Sequence, residues 1–496
     1  MNEKEKYIIE YLKINKKFVI SSELIEVLEK NFPDITNANA RKIISNLSKK
    51  KEISSSSPIT FSNNNYAYAY KNKKANYNNL KELIKKHKKK LYRAICLIKR
   101  QKGLITYSEL AKVTGGVTSE SEKNVKIVDI IKELKYFEIA SVQEYKGITF
   151  IIGQNNIDVE LEKKILELQK ENKILINLIN WLKDVNIINI KDLVTFKGAK
   201  NNFKGIENGN IIWDAFYFTN TVGIENRNTK TKTVGIIDFS YKSTYDVIDV
   251  EGLRDRLNIF INSTKETKRK VFPIIFFDKI TNAARKIIKE NNYMCVDIKK
   301  ILGDNYDRII SRYMEVENKK EIDIMEIDKI CNLIGSNANY GNMKGNLFEY
   351  MIGEVLRKIY TESGTNFEHS IMINGKEIDY RIETKNENIF IELKAYRKDV
   401  EINLGEQKEK NTVNWAYKTS FKAFQDNFKG DKNRKCKFCY ITTAKFEKKA
   451  LDTLEKLNSG KCRAEKLECY YDRNKLCNLL KEYKCKKEIK IIENYY

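Results

Sequence analysis

Asn388-Ile-Phe-Ile-Glu-Leu-Lys-Ala-Tyr396 is the stretch on which the reading of this chain turns. Ile389, Phe390, Ile391 and Leu393 surround Glu392 and Lys394, a composition that suits a half-buried pleated strand better than a helix. Residues i and i+2 of a strand share a face, so Glu392 and Lys394 stand side by side, about 7 Å apart. Glu-x-Lys alone carries little information in a chain with 32% charged residues, where Glu144-Tyr-Lys146, Glu162-Lys-Lys164 and Glu171-Asn-Lys173 also match. The bland alternative for Glu392 is an edge strand with solvated charges.

The neighbours of that stretch raise its standing. Asn374-Gly375 is the strongest hairpin signal in the sequence and makes 376–383 a strand. A second turn at 384–387 then returns the strand of Glu392 beside Asp379. Two carboxylates so placed can share one cation, and oxygen ligands with room for water suit Mg²⁺ or Mn²⁺. Upstream, Lys344-Gly-Asn-Leu-Phe-Glu-Tyr-Met-Ile-Gly-Glu-Val-Leu356 reads as a helix carrying Glu349.

Acid on a helix, acid on a strand, acid-x-Lys on the next strand is what hydrolysis of an anionic phosphodiester requires. A metal lowers the pKa of its bound water and offsets charge on the phosphorane oxygens. Lys394 can orient or help deprotonate that water, and Glu349 can complete the metal shell or hold a second cation. Only His87 and His369 are present, which argues against histidine-led metal or triad chemistry.

This order and spacing resemble the restriction endonuclease-like superfamily, known for its PD-(D/E)xK motif. The similarity is to the branch that includes Holliday-junction resolvases and modification-dependent restriction enzymes. Gly345-Asn-Leu-Phe-Glu349 matches the leading helix of that branch, Asp379 the motif aspartate, and Glu392-Leu-Lys394 the acid-x-Lys pair. The resemblance implies Glu349, Asp379 and Glu392 as metal-site acids and Lys394 as the catalytic lysine. It covers roughly 330–485; Ile378 stands where the motif name has proline, a loosely kept position.

The remaining composition is consistent with a nucleic-acid partner without requiring one. Lys and Arg number 92 against 67 Asp and Glu, for a formal charge of +25. A basic excess attracts phosphate polymers by releasing their counterions, although a coding bias toward Lys, Asn and Ile would also produce it. The sequence has no apolar run of membrane-spanning length and no leader-like start, so a cytoplasmic protein with no membrane partner is expected. Nine cysteines, an odd number, fit reduced thiols. Cys436-Lys-Phe-Cys439 lacks the second pair a zinc site needs, so these are expected to be core thiols.

At 496 residues the chain should form several units, read as a multidomain α+β and α/β protein. Residues 1–72 read as a winged helix whose third helix, 37–50, presents Asn39, Arg41, Lys42, Asn46 and Lys49 to double-stranded DNA. Residues 73–156 read as a linker and a second winged helix, with a Thr106–Glu109 capping box opening its second helix and 122–134 as its third. A long helix occupies 157–185. Its apolar residues at 161, 165, 168, 175, 179 and 182 have a heptad spacing in which a buried Asn172 can set the register of a homodimer, and a long helix packed on its own domain explains the three repeats as well.

Residues 186–330 and 331–496 share the order β-β-α-β-α-β, in the second with a helix over 412–424 and a last strand over 466–471, which implies sheets whose later strands are parallel. In the second of these, Trp415, Phe421 and Phe424 are expected to be buried and Lys418 and Lys422 to lie along nucleic acid. In the first, Asp214 and Asp238-Phe-Ser240 stand in the places of Asp379 and Glu392-Leu-Lys394, with serine for lysine and no matching Gly-x-x-x-Glu helix. That region reads as a degenerate nuclease-like or a Rossmann-like domain. The leading expectation is a Mg²⁺-dependent DNA endonuclease of restriction, defence or repair. The alternatives are a DNA-binding regulator with inert nuclease-like domains, or a ligand-activated effector nuclease acting on RNA or DNA.

Overall fold

The motif strand is Glu387–Lys394, seven of its eight residues buried, at the centre of a five-stranded sheet. It belongs to a computed structural model that describes all but residues 62–63, 71–76, 120–123, 155–159, 199–202, 204, 221–230, 266–268, 320–321, 336, 374, 398 and 429–432. The chain forms two compact units, Met1–Ile301 and Leu302–Tyr496. Both mix helices with β-sheets, and no helix among the described residues is long and apolar enough to cross a membrane.

The first unit begins with helices Glu3–Asn15, Ser21–Asn31 and Asn37–Lys49. Asn2 and Glu5 form a capping box at the first, and the Thr36 side chain accepts from Asn39 N at the third. These interactions satisfy N–H groups that a helix start leaves without partners. Strands Val19–Ile20, Ile53–Ser55 and Ala67–Tyr70 form a sheet with the last in the middle. Ile8, Leu12, Leu24, Leu28, Ile44 and Leu47 fill the core between helices and sheet.

Helices Lys89–Arg100, Tyr107–Thr114 and Ile127–Tyr136 follow, with a second three-stranded sheet of Leu104–Thr106, Ile148–Gly153 and Ala140–Tyr145. The Thr106–Glu109 capping box is present, and that helix ends on Gly115 in the left-handed region, φ +60°. Of the long segment expected to link the two modules, 71–76 lies outside the described residues. The start of the expected helix 122–134 does too.

Helix Leu161–Asp184 packs on its own unit. Ile165 and Leu168 are buried against Ile148, Phe150, Ile152 and Phe203, and Leu175, Ile179 and Leu182 are also buried. Asn172 Nδ2 donates to the Gly198 carbonyl at 3.2 Å. Over three repeats, spacings of 3.5 and 3.6 residues cannot be told apart, so a helix packed on its own domain mimics a heptad.

The same unit then builds a sheet in the order Val194–Phe196, Ala215–Thr219, Thr233–Tyr245, Val271–Ile280, Met294–Asp297. The first two pairings are antiparallel and the last two parallel. Helices Val247–Ser263 and Asn282–Glu290 make the crossovers.

In the second unit the sheet runs Asn366–Ile373, Lys376–Glu383, Glu387–Lys394, Lys435–Thr442, Tyr470–Tyr471, again two antiparallel and then two parallel pairings. Each sheet is thus preceded by a long helix, Leu161–Asp184 or Gly341–Ile359.

The two compact units divide at 301/302, and helices Tyr306–Glu317 and Ile324–Ile334 pack with the leading helix of the second sheet. Asn346 Nδ2 donates to Tyr313 Oη at 2.8 Å, and Cys331 meets Tyr496, whose hydroxyl donates to the Lys344 carbonyl. The expected strand at 466–471 shrinks to Tyr470–Tyr471, since Cys469 N is taken by the Asn458 side chain. The expected helix at 412–424 begins as a π-helical run, Trp415–Phe421, before Lys422–Asn427.

Candidate active site

The site of the second unit is assembled by two turns and one close helix contact. Ile373 pairs with Lys376 and Gly375 has φ +72°, so the chain reverses where Asn374-Gly375 was expected to turn it; Asn374 itself lies outside the described residues. Thr384 N donates to the Glu387 carbonyl and Thr384 Oγ1 accepts from Glu387 N, closing the second turn. Tyr380 then pairs with Ile391, which sets Asp379 opposite Glu392. The leading helix reaches this sheet at Gly353, where an added Cβ would sit 2.1 Å from Tyr380 Oη. Glycine is needed there for the approach, not for its backbone freedom.

Asp379, Glu392 and Lys394 form one hydrogen-bonded group. Lys394 Nζ is 2.7 Å from Glu392 Oε1 and 3.1 Å from Asp379 Oδ2, and it donates to the Leu393 carbonyl at 3.1 Å. Leu393 N donates to Asp379 Oδ2 at 2.6 Å, fixing the aspartate against the strand. The ammonium therefore rests on two carboxylates and one main-chain carbonyl, a three-oxygen seat for a cation.

The electrostatics of this group follow from its burial. Desolvation pushes the Glu392 carboxyl up to about 7, with Asp379 adding to the rise and Lys394 opposing it. Burial works against charge on Lys394, but Glu392 and Asp379 outweigh it and hold the ammonium protonated well above the ordinary value. Glu392 Oε2 is buried with no hydrogen-bond partner.

Glu349 is brought near this group but turned elsewhere. His369 Nε2 lies 3.1 Å from Glu349 Oε2, and the imidazole packs between the rings of Tyr350 and Tyr380. Burial raises the Glu349 carboxyl, with Asp379 adding to the rise. Among the described residues no three His, Cys, Asp or Glu side chains converge closely enough to form a ready-made metal cage. Composition argued only against histidine-led chemistry, and His369, ten residues before Asp379 on the adjoining strand, was not among the candidate site residues. Its signal was only that position, one strand away from the motif aspartate.

The residues do fit a divalent cation in another way. Glu349, Asp379 and Glu392 supply three carboxylates and Lys394 one ammonium, a formal balance of −2. Glu392 Oε2 retains an unused acceptor in a place where an unpaired buried carboxylate oxygen is costly. None of the nine cysteines is in a disulfide, and Cys439 is buried in the strand core, which raises its pKa.

The residues expected to meet DNA are displayed to differing degrees. Asn39, Arg41, Lys42 and Lys49 are exposed on helix Asn37–Lys49, whereas Asn46 is half-buried. Arg41 Nε donates to Asn37 Oδ1 at 2.9 Å. In the second unit Lys418 and Lys422 are exposed while Phe421 and Phe424 are buried and Trp415 is half-buried.

No family model and no curated protein matches the chain. Among solved structures the chain shows a likeness to a repair endonuclease from Pyrococcus abyssi, at 9% identity and a TM-score of 0.19, covering 32% of this chain and 64% of that one. A second likeness is to the EndoMS-dsDNA2 complex, also at 9% identity and 0.19, covering 33% of this chain and 65% of that one. The matches span just under two thirds of those chains.

Proposed function

We propose that the second unit is a metal-dependent endonuclease that hydrolyses phosphodiester bonds in DNA, in the manner of a PD-(D/E)xK enzyme. The observation that carries this reading is the pairing of Asp379 with Glu392 across adjacent antiparallel strands, with Lys394 seated on both and Glu392 Oε2 unpartnered. Asp379 and Glu392 would hold Mg²⁺ or Mn²⁺, with Glu349 contributing when it turns from His369. When bound, that ion supplies a water acidic enough to attack at neutral pH and offsets charge on the phosphoryl oxygens.

The protein's own groups do the rest. Asp379, fixed by Leu393 N, keeps its oxygen aimed at the seat. Lys394 must leave the seat for an ion to enter. Its side chain is about one-fifth exposed, so its ammonium can move toward the scissile phosphate and the attacking water. The raised Glu392 carboxyl ties ionisation of the site to the arrival of a cation. The first unit's helix Asn37–Lys49, with Arg41, Lys42 and Lys49 exposed, would contact duplex DNA as a winged-helix reading implies, with the +25 charge assisting encounter.

The test is cleavage of supercoiled plasmid DNA, with an RNA of matched length as a control. We expect nicked or linear product with Mg²⁺, none with EDTA, and none from Asp379→Ala. Cleavage in EDTA, or full cleavage by Asp379→Ala, refutes the assignment.

A further inference from the structure

The sheet of the first unit repeats the frame of the second in register. Ala215 pairs with Ile237, which sets Asp214 opposite Asp238, just as the pair Tyr380–Ile391 sets Asp379 opposite Glu392. Phe239 N donates to Asp214 Oδ2 at 2.8 Å, the counterpart of Leu393 N on Asp379 Oδ2. Ser240 stands where Lys394 would be and its hydroxyl turns to the Ser243 carbonyl.

An ammonium nevertheless occupies the seat. Lys112, on helix Tyr107–Thr114 and 128 positions before Ser240, pairs with Asp214 Oδ2, donates to the Phe239 carbonyl at 2.9 Å and lies 3.8 Å from Asp238 Oδ1. Those are the same three oxygens, two carboxylates and the carbonyl of the middle residue, that receive Lys394 in the second unit.

The other acceptors are taken as well. Lys197 Nζ binds Asp214 Oδ1 at 2.9 Å and Glu171 Oε2 at 3.0 Å. Arg256 donates to Asp238 Oδ1 at 2.8 Å and the Tyr245 hydroxyl to Asp238 Oδ2 at 2.7 Å. Glu171 lies on the long helix that precedes this sheet, the place of Glu349 in the second unit, although no glycine motif marks it.

We propose that Lys112 is a built-in cation that fills the metal seat of this second nuclease-like frame, silencing it and tying the helix it comes from to the α/β sheet. The charge balance decides between this and a second metal site. Glu171, Asp214 and Asp238 face Lys112, Lys197 and Arg256, three against three, so no charge is left for a divalent ion to neutralise. Asp214 and Asp238 are among the most buried acids of the described residues, at 1% and 2% exposure, so their compensation must come from fixed partners. The cavity beside the seat, lined by Lys112, Lys197, Asp238 and Arg256, has a volume of about 50 Å³, room for water and not for a nucleotide.

The consequence is testable without any nuclease assay, and independently of the second unit. The starting protein is the full chain with Asp379→Ala and Glu392→Ala, which removes two of the three carboxylates of the second unit's site. We expect its melting temperature to be indifferent to Mn²⁺.

Adding Lys112→Ala should lower the melting temperature in EDTA by roughly 10 °C, because it leaves a buried carboxylate uncompensated. Saturable Mn²⁺ should then restore most of the loss. Stabilisation by Mn²⁺ with Lys112 in place, no loss on its removal, or no response to Mn²⁺ after removal each overturns the proposal. If Lys112→Ala does not fold, Lys112→Ala with Asp214→Asn removes both charges together and should fold; failure of that pair to recover overturns it equally.

Discussion

Asp214 and Asp238 in the first unit and Asp379 and Glu392 in the second occupy matching positions on sheets of the same strand order, yet their surroundings treat charge in opposite ways. Around Asp214, burial is overcome by Lys112 and Lys197, and the carboxyl is held far below the ordinary range. Around Glu392, burial is only partly opposed by Lys394, and the carboxyl is pushed up to about 7. A shared backbone frame therefore does not fix the charge state of the site built on it. Lys112 and Lys394 hold equivalent places, and the difference lies in Lys197 and Arg256, which also reach the two acids of the first unit.

The largest effect that can break this comparison is on cleavage. Lys394→Ala should lower the single-turnover rate about 10²–10³-fold, by removing the one cation that can leave the seat and serve the phosphate. An equally deep loss from Ser240→Ala, at the matching position of the first unit, would mean that the first frame also does chemistry.

Next in size is pH dependence. The folded state raises the Glu392 pKa above its ordinary 4.5, so this group's stabilisation is complete below 4.5 and is lost as pH rises through about 7. In EDTA that is on the order of 3 kcal/mol, and Glu392→Gln should abolish it. Asp214 has the reverse sign: its stabilisation is complete above the ordinary 3.8 and is lost as pH falls below that value. Hydrogen exchange resolved by unit between pH 4.5 and 8 should show protection falling with pH around Glu392 and holding steady around Asp214. Parallel behaviour in the two units would contradict the contrast.

A smaller effect probes the frames themselves. A Cβ at Gly353 would meet Tyr380 Oη at 2.1 Å, and one at Gly235 would meet the Tyr217 ring at 2.1 Å. Both tyrosines are buried, so Gly353→Ala and Gly235→Ala should each cost about 1–3 kcal/mol in denaturant melts. Only Gly353→Ala, which displaces the helix bearing Glu349, should also slow cleavage.

Much of this arrangement was legible in the residues. Local signals placed the elements well: Asn374-Gly375 and 384–387 as turns, Thr106–Glu109 as a helix start, apolar runs as buried strands. Asp379 and Glu392 came together because two turns and a period of two leave little freedom in register. Asp214 and Asp238 were recognisable from the same template.

Long-range partners were not legible. Lys112 is separated from Asp214 by 102 positions, and nothing near it distinguishes it from the chain's other lysines. Glu171 was invisible because its helix lacks the Gly-x-x-x-Glu pattern. The heptad spacing along Leu161–Asp184 left two readings open, because burial within a domain and burial in a dimer leave the same trace over three repeats.

The contrast comes down to one frame that cuts and one that does not. The direct measurement is Mg²⁺-dependent cleavage of supercoiled plasmid DNA by Asp379→Ala and by Asp214→Asn, side by side at equal folded concentration. The account predicts no product from Asp379→Ala and near wild-type product from folded Asp214→Asn. Persistent cleavage by Asp379→Ala, or its loss in folded Asp214→Asn, would contradict it.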